Sequence, residues 1–290
     1  MPIPHTDPII VAPTPNPFGP DEQIDHDKLA RNIERWLDTR LSGFVVGSAG
    51  GEEFYLGDDE RIAAVATVAQ ANGGQKFVIG GIDNPSTTET LRLASRMAEA
   101  GADMVRVRIP ARGSINAYYE EVTKNCPVPV IIIHQTWQTG AEAGTPEEIG
   151  AICSLDNVYA YIFWHNVRFE SRVRAFVPEG VKFWTPNGSL LLPGALIGAN
   201  GACCFFANMG PDMAIEIMRL GMAGRFAEAQ SLQKRIINID YLGMALGNTL
   251  LKGALDMLGF ECGPPRRPTP ALSDEQKPIV EAALREAGLL

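Results

Sequence analysis

Short apolar runs alternate along the chain with longer stretches in which apolar residues recur at helical spacing. Runs at 9–12, 43–47, 76–81, 104–109, 128–134, 158–163, 181–184 and 202–206 predict eight strands. The intervening stretches carry helix-start signals. Asp58-Asp59-Glu60-Arg61 opens one, and Pro85-Ser86-Thr87-Thr88-Glu89 offers Ser86 as cap with Glu89 three residues on. Thr145-Pro146-Glu147-Glu148 supplies a cap, a proline at the first helical position and acids in the first turn. Eight strand–helix units within about 220 residues fit a closed parallel α/β architecture, the TIM (β/α)8 barrel, with a doubly wound open sheet as the alternative. No Gly-, Ser- or charge-rich linker divides the units. Beyond them, residues 222–258 predict two more helices, followed by the turn Gly263-Pro264-Pro265-Arg266-Arg267-Pro268 and a last helix over 273–287. The expected organisation is a barrel over 1–222 with a C-terminal helical extension over 223–290, packed on one end of the barrel as one structural unit.

Composition narrows the class. A 290-residue chain that is 46% hydrophobic can bury one large core, and its net charge of −9 is spread along the sequence without a basic stripe. That balance argues against a nucleic-acid partner. No segment has the roughly 18 uninterrupted apolar residues of a membrane helix, so no membrane partner is expected. Cys126, Cys153, Cys203, Cys204 and Cys262 are odd in number and lack metal-finger spacing, as suits free thiols in a reducing compartment. The N-terminal Met1-Pro2-Ile3-Pro4-His5 has no basic region or apolar core of a secretory signal, and the expected location is cytoplasmic. The glycine pairs Gly50-Gly51 and Gly80-Gly81 lack the spacing of a phosphate-binding fingerprint, so no nucleotide cofactor is expected.

Several segments fall in an order and spacing that resemble the dihydrodipicolinate synthase and N-acetylneuraminate lyase superfamily over nearly the whole chain. They are Thr14-Pro15; Gly47-Ser48-Ala49-Gly50-Gly51-Glu52 with Leu56 and 58–61; 98–103; Asn200-Gly201-Ala202; Ala207-Asn208 with Pro211; and 251–259. The resemblance implies a TIM barrel, a small carboxylic acid as substrate, and a homo-oligomer, dimer or tetramer. It also implies a Schiff base between a 2-oxo acid and a lysine at the end of strand six. Here that position falls on Ile162, and none of the seven lysines falls where a barrel strand would end. The family's proton-relaying tyrosine at the end of strand five aligns with His134. Its arginine-bearing loop is replaced by 136–140, and its paired carboxylate-binding threonines become Ala49-Gly50.

Three family functions missing together imply a site rebuilt for other chemistry. His134 and His165 are expected at the ends of strands five and six, with Glu52 and Asp83 following strands two and three at the same end. Imidazole titrates near neutrality and moves protons at physiological pH, which suits enolisation, hydration or dehydration of an oxo acid. The bland alternative has His134 filling a polar gap in the core and His165 in solvent. Two histidines and a carboxylate also invite a metal, but no short ligand motif occurs and none is expected. In strand four, alternation puts Arg106 and Arg108 on one face, either inward, where Arg108 would bind a substrate carboxylate, or outward, paired with acids on a covering helix. Ser48, Ala49, Gly50 and Gly51 offer a turn whose backbone N–H groups can hold a carboxylate, and Trp137 is the better pocket candidate among the aromatics. The reading is a lyase-like enzyme acting on an oxo or hydroxy acid without an imine. The alternative is a non-catalytic ligand-binding or regulatory protein on the same barrel.

Overall fold

In the computed structural model, which describes residues 6–135, 144–163 and 166–290, eight parallel strands close into a barrel in sequence order. They are β1 (Ile9–Pro13), β2 (Gly43–Val46), β3 (Phe77–Ile82), β4 (Met104–Arg108), β5 (Val130–Ile133), β6 (Val158–Ile162), β7 (Lys182–Thr185) and β8 (Gly201–Cys203), with β8 pairing back onto β1. The strands are buried almost throughout, as expected of a parallel sheet covered on both faces. The helices α1 (His26–Leu37), α2 (Asp58–Asn72), α3 (Thr87–Glu99), α4 (Ile115–Asn125), α5 (Pro146–Cys153), α6 (Val167–Arg174) and α7 (Leu191–Leu196) follow successive strands. After β8 come α8 (Phe206–Met209) and α9 (Pro211–Met222). The expected caps form: Ser86 accepts from the Glu89 N–H, and Thr145 and Glu148 make a reciprocal capping box.

Side-chain parity divides the core into two layers. Ile9, Val11, Val45, Ile79, Met104, Ile131, Ile133, Ala160, Ile162 and Trp184 pack together inside the barrel. Their neighbours, among them Ile10, Phe44, Val105, Val107, Ile132, Tyr161 and Phe183, pack outward against the helices. Successive residues of a strand point to opposite faces, so this division fixes where every polar residue at a strand end goes.

The extension consists of α10 (Phe226–Leu246), α11 (Asn248–Met257) and α12 (Lys277–Ala287). Ile236 and Ile239 of α10 are fully buried, whereas Ile237 stays largely exposed. Side-chain pairs tie the extension to the barrel: Arg31 grips Glu261 with a fork at 2.7 and 2.8 Å, and Arg35 donates to the Gly259 carbonyl at 2.8 Å. A deeper tie runs from Glu52 to Lys252, 2.7 Å apart and both fully buried. Glu52 also accepts from the backbone N–H of Arg266 at 2.8 Å. No described helix is long and apolar enough to cross a membrane.

Candidate functional site

The C-terminal mouth of the barrel holds a cavity of about 250 Å³. Ser48 and Ala49, from the turn after β2, form part of its wall, and Arg106, Ile133 and Cys203 rise into it from β4, β5 and β8. Gln135 and Asn187 add amides, and Asp240, Gly243 and Met244 close it from α10. The extension therefore supplies one wall of the site.

Arg106 and Arg108 share the inward parity of Met104, and their positive charge is met by two acids. Arg106 holds Asp83 in a fork, Nη1 to Oδ1 at 2.9 Å and Nη2 to Oδ2 at 2.8 Å, and reaches Glu53 Oε2 at 3.0 Å. Arg108 donates from Nε to Asp83 at 2.5 Å, from Nη2 to Glu53 Oε1 at 2.7 Å and from Nη1 to Gln135 Oε1 at 2.9 Å. Glycine at 81 makes this possible, since a Cβ there would stand 2.8 Å from Arg106 Nη2 and 2.1 Å from the Gly47 carbonyl. Unpaired, a buried guanidinium would cost several kcal/mol; here two carboxyls bridge two cations.

The cluster is not electrically balanced at neutral pH. Burial and the neighbouring Asp83 charge push the Glu53 carboxyl up to about 8 against the pull of both arginines, whereas the guanidiniums hold Asp83 well below the usual range. Below that point the four groups carry a net charge of about +1, two cations against one anion. Arg106 presents this charge to the cavity. Its Nε–H is buried and has no hydrogen-bond partner among the described residues. Asp240 accepts the backbone N–H groups of Gly188 and Ser189 at 3.0 and 2.7 Å, and burial raises its carboxyl above the ordinary value. Burial likewise pushes the Cys203 thiol up to about 12, so it stays protonated at neutral pH.

The expected site residues separate. Ser48 and Ala49 line the cavity, and Asp83 and Arg108 support Arg106 from behind. Gly50 and Gly51 instead pack against the β1 end, where a Cβ would stand 2.3 Å from the Pro13 carbonyl or 2.9 Å from that of Thr14. Ile162 is inward and buried but is not part of the cavity lining. His165 and Trp137 lie outside the described residues.

Two expectations need correction. His134 follows the inward Ile133, so its ring passes through to the outer layer, where Nδ1 lies 2.9 Å from the Tyr161 hydroxyl and 3.2 Å from Glu170 of α6. It packs 5.7 Å from the Phe169 ring and does not line the cavity. Glu52 adopts a left-handed conformation (φ 62°), and its carboxylate turns away to Lys252, while the next residue, Glu53, points to the arginines. The acid of that turn that reaches the arginines is thus Glu53, one residue beyond the expected Glu52. Asp240 was missed altogether. Its signal is an aspartate on the buried stripe Ile236, Ile239, Asp240, Gly243 of α10, where an acid must have a reason to be.

The lysines are distributed away from the cavity. Lys76 donates to the Thr39 and Leu41 carbonyls and Lys182 pairs with Asp7, both at the N-terminal ends of strands. Lys252 is bound to Glu52 and lies over the Phe18 ring, and Lys28, Lys124, Lys234 and Lys277 sit on helices. Among the described residues no group of three or more His, Cys, Asp or Glu is arranged around a metal position.

Comparison with known proteins gives consistent results. The 4-hydroxy-tetrahydrodipicolinate synthase of Archaeoglobus fulgidus is 26% identical over 281 residues, covering 94% of this chain and 96% of its own length. An uncharacterized DapA-like lyase of Halobacterium salinarum is 27% identical over 294 residues, covering 97% and 94%. The dihydrodipicolinate synthase structure from Aquifex aeolicus superposes with a TM-score of 0.89 at 23% identity, covering 98% of this chain and 99% of that one, and supports the barrel fold. The sequence profile of the dihydrodipicolinate synthetase family matches residues 7–287, and the chain belongs to that family.

Proposed function

We propose that the protein is a lyase-type enzyme that acts on a small oxo or hydroxy acid without forming a lysine imine. The observation that carries the reading is Arg106: an inward guanidinium on the cavity wall, set with Arg108, Asp83 and Glu53 in a cluster of net positive charge. Such a group binds a substrate carboxylate or the oxyanion that develops when a carbonyl enolises. An imine needs an amine in reach; the residues lining the cavity include no lysine, and the family resemblance puts the imine-forming position at Ile162. Proton handling in this reading belongs to groups on the cavity wall. His134 is separated from it by the strand wall.

The five free cysteines, all buried, favour a reducing compartment such as the cytoplasm. The exposed apolar Ile237, Tyr241 and Met244 of α10 favour a homo-oligomer.

Enolisation can be observed without knowing the natural substrate. Pyruvate, 2-oxobutyrate and related 2-oxo acids are incubated with the protein in D2O, and loss of the C3 proton signal is followed by NMR. The reading expects catalysed exchange with at least one of them, and no mass increase after borohydride treatment with pyruvate. A borohydride-trapped adduct would overturn the imine-free mechanism. Ligand-induced thermal stabilisation with no exchange or turnover across oxo and hydroxy acids would favour the non-catalytic binding protein.

A further inference from the structure

Among the described residues Asp240 is the one carboxyl in the cavity lining, since Glu53 and Asp83 stand behind Arg106. It comes from α10, outside the eight strand–helix units, and makes no ion pair among the described residues. Its two hydrogen bonds cap the 3-10 turn Gly188–Leu190, and a purely structural cap is the competing explanation. Two observations weigh against that explanation being sufficient. Gln233, two turns earlier on α10, already clamps the same segment by accepting from Leu192 N–H at 3.0 Å and donating to the Gly188 carbonyl at 2.9 Å. One turn beyond Asp240 is Gly243, where an added Cβ would meet nothing nearer than Leu250 at 3.7 Å. Packing does not demand glycine there, and its lack of a side chain leaves the cavity beside Asp240 open.

Building on the proposed function, we propose that Asp240 is the catalytic acid/base of the site, exchanging a proton with the carbon next to the carbonyl of an acid whose carboxylate is held at Arg106. The carboxylate form of Asp240 takes a proton from C3 of the 2-oxo acid. The C–H pair becomes the C2=C3 π bond, and the carbonyl π pair moves to oxygen, giving an enolate and a protonated Asp240. The reverse step returns a proton to C3. The two backbone N–H donors fix the carboxyl's orientation and leave its remaining lone pairs for this transfer. The raised affinity of Asp240 for a proton, caused by burial, brings a carboxyl closer to the range in which it can both accept and return one.

The test uses C3 exchange of pyruvate in D2O and pyruvate binding by calorimetry. Asp240→Asn keeps an oxygen to accept one of the two amides. It is expected to slow exchange by about 100-fold or more, the usual contribution of a positioned acid/base, with pyruvate binding retained. Gln233→Ala weakens the clamp on the same segment without touching the cavity and is expected to lower stability but leave exchange within about twofold of wild type. In Asp240→Ala, added formate is expected to restore exchange in proportion to its concentration, which a structural cap would not predict. Exchange in Asp240→Asn near the wild-type rate with binding intact would overturn the assignment while leaving the oxo-acid reading standing. So would an equal loss in Gln233→Ala, or, should the Asn variant not fold, the absence of any formate rescue in a folded Ala variant. Absence of exchange in the wild-type protein would instead overturn the oxo-acid reading and this inference together.

Discussion

Two buried polar clusters sit at the same end of this barrel, one on each side of its wall, and they behave differently. Inside, Arg106, Arg108, Glu53 and Asp83 join charges across β2, β3 and β4 and border the cavity. Outside, His134, Tyr161 and Glu170 link β5, β6 and α6 in the helix layer. The residue types alone favour the second cluster as the chemical one, because it contains the histidine. Parity reverses that judgement. A strand has only two faces, and at β5 the inward position is Ile133, so the next residue must look outward. Burial also keeps the Tyr161 hydroxyl protonated far beyond neutrality, so it can donate to Glu170 at 3.0 Å. The outer cluster is a brace between sheet and helix, and the inner one is a charged floor.

Removing the cation from the inner cluster breaks the comparison most severely. Arg106→Met takes away the hydrogen bonds that Asp83 and Glu53 accept from Arg106 and leaves Asp83 with Arg108 as its remaining cation, and breaking a buried ion pair of this kind costs roughly 3–5 kcal/mol. Urea unfolding should record a loss of that order, and pyruvate binding should disappear at the same time. A variant as stable as wild type would mean the four charges are not coupled as described.

The outer cluster should respond in stability alone. His134→Leu keeps side-chain bulk but takes a partner from Tyr161 and Glu170, which still hold each other, so the expected cost is about 1–3 kcal/mol. Deuterium exchange per folded molecule should be unchanged. A hundredfold fall in exchange with the fold intact would place His134 in the chemistry after all and erase the distinction between the two sides.

What the sequence made legible follows the same division. Strand positions were readable because each is a short apolar run between helix-start signals, and seven of the eight overlap the observed strands closely enough to keep their C-terminal ends at the mouth; in β8 the run starts one residue late and overshoots into α8. The facing of the strands was not readable. In Ile131-Ile132-Ile133-His134 every earlier position is apolar, because a parallel strand is buried on both sides, so no alternation marks which face His134 takes. Arg106 and Arg108 showed a shared face in β4 but not which one. The Glu52–Glu53 choice turned on a left-handed residue that is not glycine, a conformation no propensity would assign to glutamate. Asp240 was within reach, since helical spacing does reveal a buried stripe; reading it required treating α10 as part of the site.

The mildest perturbation sharpens the inner cluster's role as a charged floor. Glu53→Gln replaces a carboxyl that is already protonated below about pH 8 with an amide of the same shape, so at or below pH 4.5, where the unfolded carboxyl is protonated too, stability should change by less than about 1 kcal/mol. The pH dependence should change more. A carboxyl whose folded value is raised from 4.5 to about 8 contributes stability that is fully present below 4.5 and is lost as pH rises through 8, so the wild type should weaken across that window and the Gln variant should weaken less. Asp83, shifted the other way, acts only in acid, contributing stability above its ordinary 3.8 that is lost as pH falls. Ligand binding carries the same sign. As Glu53 ionises, the floor passes from a net charge of about +1 to about 0, and one unit charge at about 10 Å in an effective dielectric of ~20 is worth roughly 1.7 kcal/mol, more than tenfold in affinity. Pyruvate should therefore bind the wild type more weakly above pH 8 than below it, whereas the Gln variant, which cannot ionise there, should hold its affinity across the same range. Parallel pH profiles for the two proteins would show that Glu53 does not set the charge that Arg106 presents to the cavity.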